Sequence, residues 1–352
     1  MKVLITGNLG YVGPGVVKEF RKHYPQANLV GYDIGYFAKY ITSNSISPES
    51  YLDAQYYGDV RQFPEHLLEG VDMVIVLAAI SNDPIGNQFE VPTMEINYEA
   101  TIDIAKMAKR QGVKKFIFAS SCSVYGCAED APRVESSTLD PLTAYAKSKV
   151  LSEEGLEPLA SEDFQITCLR FATACGMSDR LRLDLVLNDF VAGAMTSGKI
   201  TILSDGSPWR PLINVLDMAR AFRWAAEREN QNGGTFLTIN TGSNSWNYQI
   251  KDLALETQKL LPNVEVNINP HAQPDKRSYR VNFDLYETMA PNHQPLYNLS
   301  DTVEGLIKGL KAIDFNDHNY HQSELIRLNV IKKLLASEEM DNQLKLVEYA
   351  FS

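Results

Sequence analysis

Short apolar runs alternate with longer amphipathic stretches through the first half of the chain. Unbroken apolar strands separated by helices are typical of a parallel sheet covered by helices on both faces. Strands are predicted at KVLIT (2–6), NLVGYD (28–33), MVIVLAA (73–79), KKFIFAS (114–120) and FQITCLR (164–170), and helices at residues 12–23, 93–111 and 143–156. We therefore predict an α/β fold with a doubly wound parallel sheet.

After about residue 171 the alternation becomes less regular, and the loops are rich in Ser, Asp, Gly and Pro. Helices are predicted near 184–197 and 215–228, and strands at KITIL (199–203) and GTFLTIN (234–240). We expect residues 172–312 to form a smaller lobe that is interleaved with the end of the sheet domain. Residues 313–352 are predicted to be a polar, helical extension, to which the sequence assigns no role.

Composition narrows the class of protein. The chain has 352 residues, of which 44% are hydrophobic and 22% charged, and its net charge is −11. This charge argues against a general nucleic-acid or membrane-surface binder, so an anionic ligand would need arginines concentrated at its site. The N-terminal stretch does not resemble a signal peptide, and no apolar run reaches the length of about 18 residues that a membrane span requires.

The four cysteines show neither CxxC spacing nor a histidine partner motif. Free thiols in a reducing cytoplasm explain them best, and no metal site is visible. We therefore expect a cytoplasmic protein with no nucleic-acid or membrane partner.

The segment TGNLGYVG follows the first predicted strand and opens the first helix. Gly7, Gly10 and Gly13 allow a tight turn whose backbone N–H groups approach a pyrophosphate at a helix N-terminus. The second strand ends in Asp33, about 20 residues further on, where a carboxylate accepts hydrogen bonds from a ribose diol and repels a 2′-phosphate. This favours NAD over NADP. GDV (58–60) is predicted to end the third strand, where Asp59 could meet the adenine.

Tyr145 and Lys149 in TAYAKSK lie on one face of the predicted helix, because positions i and i+4 are neighbours. A tyrosine titrates near about pH 10, and a nearby ammonium group favours its phenolate. The pair could therefore form a proton-transfer tyrosine, although a surface helix that carries both residues by chance explains the pair alone better.

The ordered set TGNLGYVG, Asp33, GDV, LAAIS (77–81), INYEAT, SSCSVYG (120–126), YAKSK and LRFATACG (169–176) resembles the extended short-chain dehydrogenase/reductase family, in particular its nucleotide-sugar epimerases and dehydratases. The resemblance runs from Met1 to about residue 312. It implies a Rossmann-type NAD-binding domain over residues 1–171 and an α/β substrate lobe over residues 172–312.

In that family the tyrosine of Tyr-x-x-x-Lys is the acid/base, and the lysine binds the nicotinamide ribose and lowers the tyrosine pKa. The resemblance implies these roles for Tyr145 and Lys149, and it implies that Ser121 hydrogen-bonds the reacting sugar oxygen. The implied cofactor contacts are Gly7, Asn8, Leu9, Gly10, Tyr11, Val12, Gly13, Asp33, Asp59, Val60, Leu77, Ala78, Ala79, Asn97, Tyr145 and Lys149.

The substrate implied by the resemblance is a nucleoside-diphosphate sugar. WRPLINVLDMARA resembles the segment whose arginine holds the substrate diphosphate, and DKRSYRVNF lies near the usual second phosphate arginine. The implied substrate contacts are Ser81, Ser121, Ser123, Tyr145, Thr173, Asn188, Arg210, Arg277 and Arg280. Thr173 is a departure, since relatives often carry Asn there. Arg180 and Arg182 could be substrate contacts or solvated charges.

The residues after Ser121 limit the reaction. The family's 4,6-dehydratases follow their catalytic threonine with an Asp-Glu pair, and here those places hold Cys122 and Ser123. We therefore expect epimerisation through transient oxidation, usually at C4. Net oxidation or reduction of the sugar with turnover of NAD(P)(H), decarboxylation of a uronic acid and a non-catalytic NAD-binding regulator stay open, because a fold does not dictate function. Relatives commonly dimerise through a four-helix bundle, which implies a homodimer that pairs through residues 93–111 and the helix of Tyr145.

Overall fold

The structure is a computed structural model that describes residues 1–43, 46–127, 131–261, 263–269, 272 and 277–347. The strands are β1 (Lys2–Thr6), β2 (Asn28–Asp33), β3 (Ala54–Tyr57), β4 (Met73–Val76), β5 (Lys115–Ser121), β6 (Gln165–Phe171), β7 (Thr173–Cys175), β8 (Lys199–Ile202), β9 (Trp209–Asn214), β10 (Phe236–Thr241), β11 (Asn247–Gln249) and β12 (Glu265–Ile268). The α-helices are α1 (Gly13–His23), α2 (Asp83–Gln88), α3 (Glu90–Met94), α4 (Ala100–Arg110), α5 (Ala144–Leu156), α6 (Val186–Ser197), α7 (Val215–Glu227), α8 (Ile250–Leu260), α9 (Asp284–Met289), α10 (Leu299–Ala312) and α11 (Arg327–Ala336).

The described strands include a seven-stranded parallel sheet in the order β10-β6-β5-β4-β1-β2-β3. Ile5 of β1 pairs with Gly31 of β2 on one side and with Ile75 of β4 on the other. The chain therefore runs outward in both directions from β1 and β4, and a crevice at the carboxyl ends of these strands is the usual ligand site of such sheets. The predicted doubly wound α/β fold is confirmed.

Both faces of the main sheet are buried, which explains the unbroken apolar runs of its strands. Leu4 packs in the hydrophobic cluster that contains Ile104 of α4. Its neighbour Ile5 points to the opposite face and packs in the cluster that contains Phe20 of α1 and Phe222 of α7. Successive side chains of a strand point to opposite faces, so a strand between two layers of helices must be apolar at every position.

Two predicted elements differ from the structure. A π-helical turn at Glu95–Glu99 interrupts the helix predicted over 93–111, between α3 and α4. The third strand ends at Tyr57, so the GDV segment follows the strand and does not end it. Such π turns occur frequently near functional sites, and this one contains Asn97.

The smaller lobe contains a sheet of order β11-β9-β7 and a pair of strands, β12-β8. Strand β10 returns to the main sheet beside β6, so residues beyond 171 complete the first domain, and the exact domain boundaries stay a prediction. The C-terminal extension is less polar than predicted, because Val330 and Ile331 of α11 are fully buried against the main sheet's core. Its last five residues, 348–352, lie outside the described part of the chain. None of the described helices has the length and apolar character that a membrane crossing requires.

Candidate active site

A cavity of about 1020 Å³ lies along the carboxyl ends of the main-sheet strands. Gly7, Asp33, Leu77, Ser121 and Phe171 line it, and these residues end or follow β1, β2, β4, β5 and β6. Small-molecule sites typically occupy roughly 300–1,000 Å³, so this volume suits a ligand as large as a dinucleotide.

The glycine loop after β1 forms part of the cavity wall. Gly7 has a φ of +74°, and a Cβ added there would lie 2.3 Å from the backbone nitrogen of Ala78. A Cβ on Gly13, the first residue of α1, would lie 2.1 Å from the carbonyl oxygen of Asn8. Only glycine fits at either position, and the resulting turn leads to a helix N-terminus that favours a phosphate.

The predicted cofactor residues of this loop divide into two groups. Those that line the cavity are Gly7, Gly10, Tyr11 and Val12. Asn8, Leu9 and Gly13 are outside the cavity lining. Asn8 Nδ2 donates to Gln55 Oε1 at 2.6 Å, and the Leu9 N–H donates to the Asp33 carboxylate at 3.0 Å. These two residues shape the loop.

Asp33 lines the cavity at the end of β2, where the sequence predicts the ribose contact. Its carboxylate accepts hydrogen bonds from the N–H groups of Leu9 (3.0 Å) and Gly35 (2.7 Å). Burial raises the pKa of Asp33, and these hydrogen bonds and the nearby Arg180 and Arg327 oppose the shift. The glycine turn and this carboxylate together fit a dinucleotide with a free ribose diol.

The remaining predicted adenosine-side residues that line the cavity are Asp59, Val60, Leu77, Ala78 and Ala79. Asn97 does not line it. This buried amide accepts a hydrogen bond from the Ile80 N–H (2.8 Å) and donates to the Ile80 carbonyl and to Ser148 Oγ, both at 3.0 Å. Asn97 therefore joins the loop after β4 to helix α5 from behind the cavity wall, and its predicted cofactor contact stays a prediction.

The three predicted catalytic residues meet in this cavity. Tyr145 and Lys149 line it from α5, and Ser121 lines it from the end of β5. Lys149 Nζ lies 5.6 Å from the centroid of the Tyr145 ring and 4.5 Å from that of Phe118. The N-cap at Thr143, whose hydroxyl accepts from the Ala146 N–H at 3.2 Å, fixes the first turn of α5 and so the position of Tyr145.

Burial shifts the pKa values of both Tyr145 and Lys149. Burial raises the pKa of Tyr145 to about 12, although its hydrogen bond with Ser121 favours the phenolate. Burial also lowers the pKa of Lys149 to about 7, with Glu153 opposing the shift. Burial therefore opposes the charged form of both side chains, and the role of Lys149 in lowering the tyrosine pKa stays a prediction.

Five predicted substrate residues line the cavity beside the catalytic group: Ser81, Ser123, Thr173, Arg210 and Arg277. The buried hydroxyl of Ser123 has no hydrogen-bond partner among the described residues. Arg210 Nη1 donates to the Trp209 carbonyl at 2.8 Å, and its guanidinium lies 5.6 Å from the Tyr279 ring centroid. Arg277 Nη1 donates to the Asp83 carboxylate. Their roles as ligands stay predictions.

The structure places Asn188 and Arg280 outside the cavity lining. Asn188 is fully buried, accepts from the Gly176 N–H at 2.8 Å and donates to the Arg182 carbonyl (2.9 Å) and Tyr11 Oη (3.2 Å). Its side chain amide bonds to three groups of the wall, so it shapes the wall in this structure, and its predicted substrate contact stays a prediction. The Arg280 guanidinium lies 5.2 Å from the Trp209 ring centroid.

Cys122, next to Ser121, points away from the cavity. It is buried and its thiol donates to the Arg170 carbonyl at 3.1 Å. It therefore offers no acid or base to a substrate. The four cysteines are free, and the described residues contain no group of three or more His, Cys, Asp or Glu that could hold a metal ion.

Arg180 and Arg182 are both buried, so the alternative of solvated surface charges is wrong. Arg182 lines the cavity, where its Nη1 donates to Ser81 Oγ at 2.9 Å and its Nε donates to Asp184 at 3.0 Å. Arg180 is outside the lining and pairs with Glu49.

The C-terminal segment also contributes to the cavity, which no sequence motif indicates. Its lining residues are His321, Ile326, Arg327 and Ile331. The carbonyl of Leu325, the residue before Ile326, accepts a hydrogen bond from the Leu183 N–H at 2.9 Å. The signal that could have found this segment is its buried α11 face, because Val330, Ile331 and Leu334 follow helical spacing.

The doubly wound sheet, the glycine turn, the acid after β2 and the Ser–Tyr–Lys group define a dinucleotide-dependent enzyme of the extended short-chain dehydrogenase/reductase type. Residues 3–242 match the family model of the NAD dependent epimerase/dehydratase family. The chain belongs to this family and is an NAD-dependent enzyme. The expected family, enzyme class and cofactor are thereby confirmed.

Curated relatives carry names of this family, and a solved structure shares the fold. An uncharacterized UDP-glucose epimerase of Bacillus subtilis is 29% identical, over 62% of this chain and 71% of the relative. A putative UDP-glucose 4-epimerase of Methanocaldococcus jannaschii is 24% identical, over 88% of this chain and 98% of the relative. A UDP-glucuronic acid 4-epimerase mutant from Bacillus cereus, solved with a UDP sugar and NAD, is 24% identical, with a TM-score of 0.75 over 88% of this chain and 99% of that one. Matched relatives also include a decarboxylase of Bacillus cytotoxicus and a 4,6-dehydratase of Mus musculus, so the matches alone do not fix the reaction.

Proposed function

We propose that this protein is an NAD-dependent epimerase of nucleoside-diphosphate sugars that acts through transient oxidation at C4. The observation that carries the proposal is the common cavity of Ser121, Tyr145 and Lys149 with the glycine loop. Arg210 and Arg277 line the same cavity, where their planar guanidinium groups suit a diphosphate.

Each residue of the catalytic group has a separate task in this reaction. Ser121 orients the sugar hydroxyl, and Tyr145 removes its proton and later returns it to the sugar oxygen. NAD, when bound, would supply the hydride acceptor and donor and, in its oxidised form, a positively charged ring. Since Tyr145 has a pKa of about 12, it needs such a positive charge to act as a base near neutral pH. Lys149 holds the ribose side of the cofactor.

The environment of Ser121 favours epimerisation over elimination of water. Removal of water across C5 and C6 needs an acid and a base next to the sugar, and the two positions after Ser121 hold a buried thiol and a hydroxyl. Epimerisation requires no acid or base beyond Tyr145, because the hydride returns to the opposite face of the carbon it left and the proton returns to its oxygen. Relatives named as UDP-glucose 4-epimerases support the same reaction class.

Incubation of the purified protein with a panel of UDP-, dTDP- and GDP-sugars, followed by mass spectrometry and proton NMR of the products, tests the proposal. We expect a product of unchanged mass with inverted stereochemistry at C4 and no accumulation of NADH. A product that has lost water would indicate dehydration, and one that has lost carbon dioxide would indicate decarboxylation. A product that differs by two hydrogens would indicate net oxidoreduction. No product with any sugar would favour the non-catalytic regulator. The homodimer through the α4 and α5 surfaces and the cytoplasmic location stay predictions, and sedimentation at micromolar concentration tests the dimer.

A further inference from the structure

The C-terminal segment, residues 313–347, packs against the first domain and reaches the cofactor cavity. Ile331 and Leu344 are fully buried in the cluster that contains the main-sheet core. Arg61 donates to the Gln343 carbonyl at 2.6 Å, and Tyr36 donates to the Leu344 carbonyl. These contacts fix the C-terminal segment on the first domain, beside the cavity that α11 lines.

Arg327, the first residue of α11, is 3% exposed and lines the cavity. Its guanidinium carbon lies 4.1 Å from the centroid of the Phe37 ring, and Nη2 donates to the Arg180 carbonyl at 3.0 Å. Nη1 is buried and has no hydrogen-bond partner among the described residues. A buried donor without a partner is costly, so a ligand that accepts a hydrogen bond there would stabilise the arrangement.

The charges around Arg327 favour an anionic ligand. Burial and the neighbouring Arg182 lower the pKa of Arg327 to about 9, so the guanidinium stays charged near neutral pH. Asp33 and Asp184 are the nearby acids, but neither lies within ion-pair distance of Arg327 in the described structure. Asp33 accepts from two backbone N–H groups, and Asp184 from Arg182 and Asn82. Attraction to these two acids therefore does not give Nη1 of Arg327 a hydrogen-bond partner.

The position of Arg327 in the cavity indicates which anion it would bind. Asp33 ends β2 and Phe37 follows it, and both residues lie on the adenosine side of the cavity. The glycine loop leads to the N-terminus of α1. A dinucleotide that places its ribose at Asp33 has its diphosphate adjacent to this region. We propose that Arg327 is a ligand of the NAD diphosphate, so that the C-terminal segment completes the cofactor site. This inference rests on the NAD site and not on the proposed epimerase reaction, and binding measurements therefore separate the two.

Calorimetric titration of the NAD-depleted full chain tests this role with ADP, adenosine and UDP as probes. Arg327→Gln removes the charge and keeps much of the size, and Lys332→Gln, an exposed residue of the same helix, is the matched control. We expect Arg327→Gln to weaken ADP about 10- to 100-fold, the range for a lost charge-assisted hydrogen bond. Adenosine and UDP should bind unchanged, and Lys332→Gln should behave as the wild type.

Three outcomes would overturn the inference. If Arg327→Gln weakens the binding of ADP and adenosine equally, Arg327 only shapes the cavity wall. Weakening of UDP alone would assign it to the substrate, and unchanged ADP affinity would exclude contact with a phosphate. If Arg327→Gln does not fold, as judged by circular dichroism, Arg327→Lys serves for the same titrations. It keeps the charge but not the planar fork, and should weaken ADP more than adenosine.

Discussion

Lys149 Nζ lies 5.6 Å from the centroid of the Tyr145 ring, one helical turn away on α5, and both side chains line the same cavity. Burial moves the two pKa values toward the neutral forms, to about 12 for Tyr145 and about 7 for Lys149. Burial therefore opposes charge on both side chains, and a positive charge close to Tyr145 would favour its phenolate.

Tyr145→Phe removes one oxygen from a side chain that the rest of the cavity holds in place. Turnover should fall by about 10²–10⁴-fold or more, the contribution usually credited to general acid–base catalysis. The unfolding midpoint and NAD affinity should hardly change. Steady-state kinetics beside an NAD titration measure both, and full activity in this variant would contradict the assignment of Tyr145 as the acid/base.

Lys149→Met should change how stability depends on pH. The native pKa of Lys149, about 7, lies below the value of about 10.4 for an unfolded lysine, so the native state binds fewer protons between these values. The unfolding free energy of the wild type therefore rises with pH in this window. The difference between wild type and Lys149→Met should grow in favour of the wild type by about 2 kcal/mol from pH 7 to pH 9. Chemical denaturation at both pH values measures it, and a constant difference would show that Lys149 stays charged.

The features that the sequence predicts well are local ones. Gly7 and Asp33 follow directly from the strand, turn and helix around them, and the Tyr145–Lys149 pair follows from helical spacing. The buried strands are recognisable because both of their faces are covered.

The features that the sequence misses depend on contacts between distant parts of the chain. Asn97 and Asn188 resemble polar ligand residues, but their partners come from other segments and turn both amides behind the wall. Arg327 belongs to no motif, and only the packing of α11 on the main sheet brings it to the cavity. The direction of each side chain decides whether it lines the cavity, and spacing along the chain does not determine this direction.

Arg210→Ala tests the substrate side of the cavity. If Arg210 binds the diphosphate, UDP affinity should fall by about 1.5–3 kcal/mol, the value for hydrogen bonds to charged groups, while NAD affinity stays the same. Arg280→Ala is a suitable control, because that arginine lies outside the cavity lining and stacks on Trp209. Calorimetry with UDP and NAD measures both variants. Equal losses for the two ligands would mean that Arg210 supports the fold of the cavity.

Asp33→Asn tests the preference for NAD. The carboxylate should repel the 2′-phosphate of NADP, and removal of one charge at about 4 Å changes this repulsion by about 1 kcal/mol or more. The asparagine carbonyl can still accept a hydrogen bond from Leu9 or Gly35. We expect the ratio of NADP to NAD dissociation constants to fall at least about fivefold in fluorescence titrations. Tighter binding of NADP than of NAD by the wild type would contradict the role of Asp33 at the ribose diol.

Asn188→Ala separates a structural amide from a substrate ligand. Asn188 joins Gly176, Tyr11 Oη and the Arg182 carbonyl, so its loss leaves buried polar groups without partners. Each such group costs about 1–3 kcal/mol, and the unfolding free energy should fall by at least that amount. UDP affinity of the folded fraction should stay close to that of the wild type, because the side chain does not line the cavity. Denaturant titration and calorimetry below the unfolding transition measure the two quantities. A loss of UDP affinity at unchanged stability would return Asn188 to the substrate site that the sequence predicts.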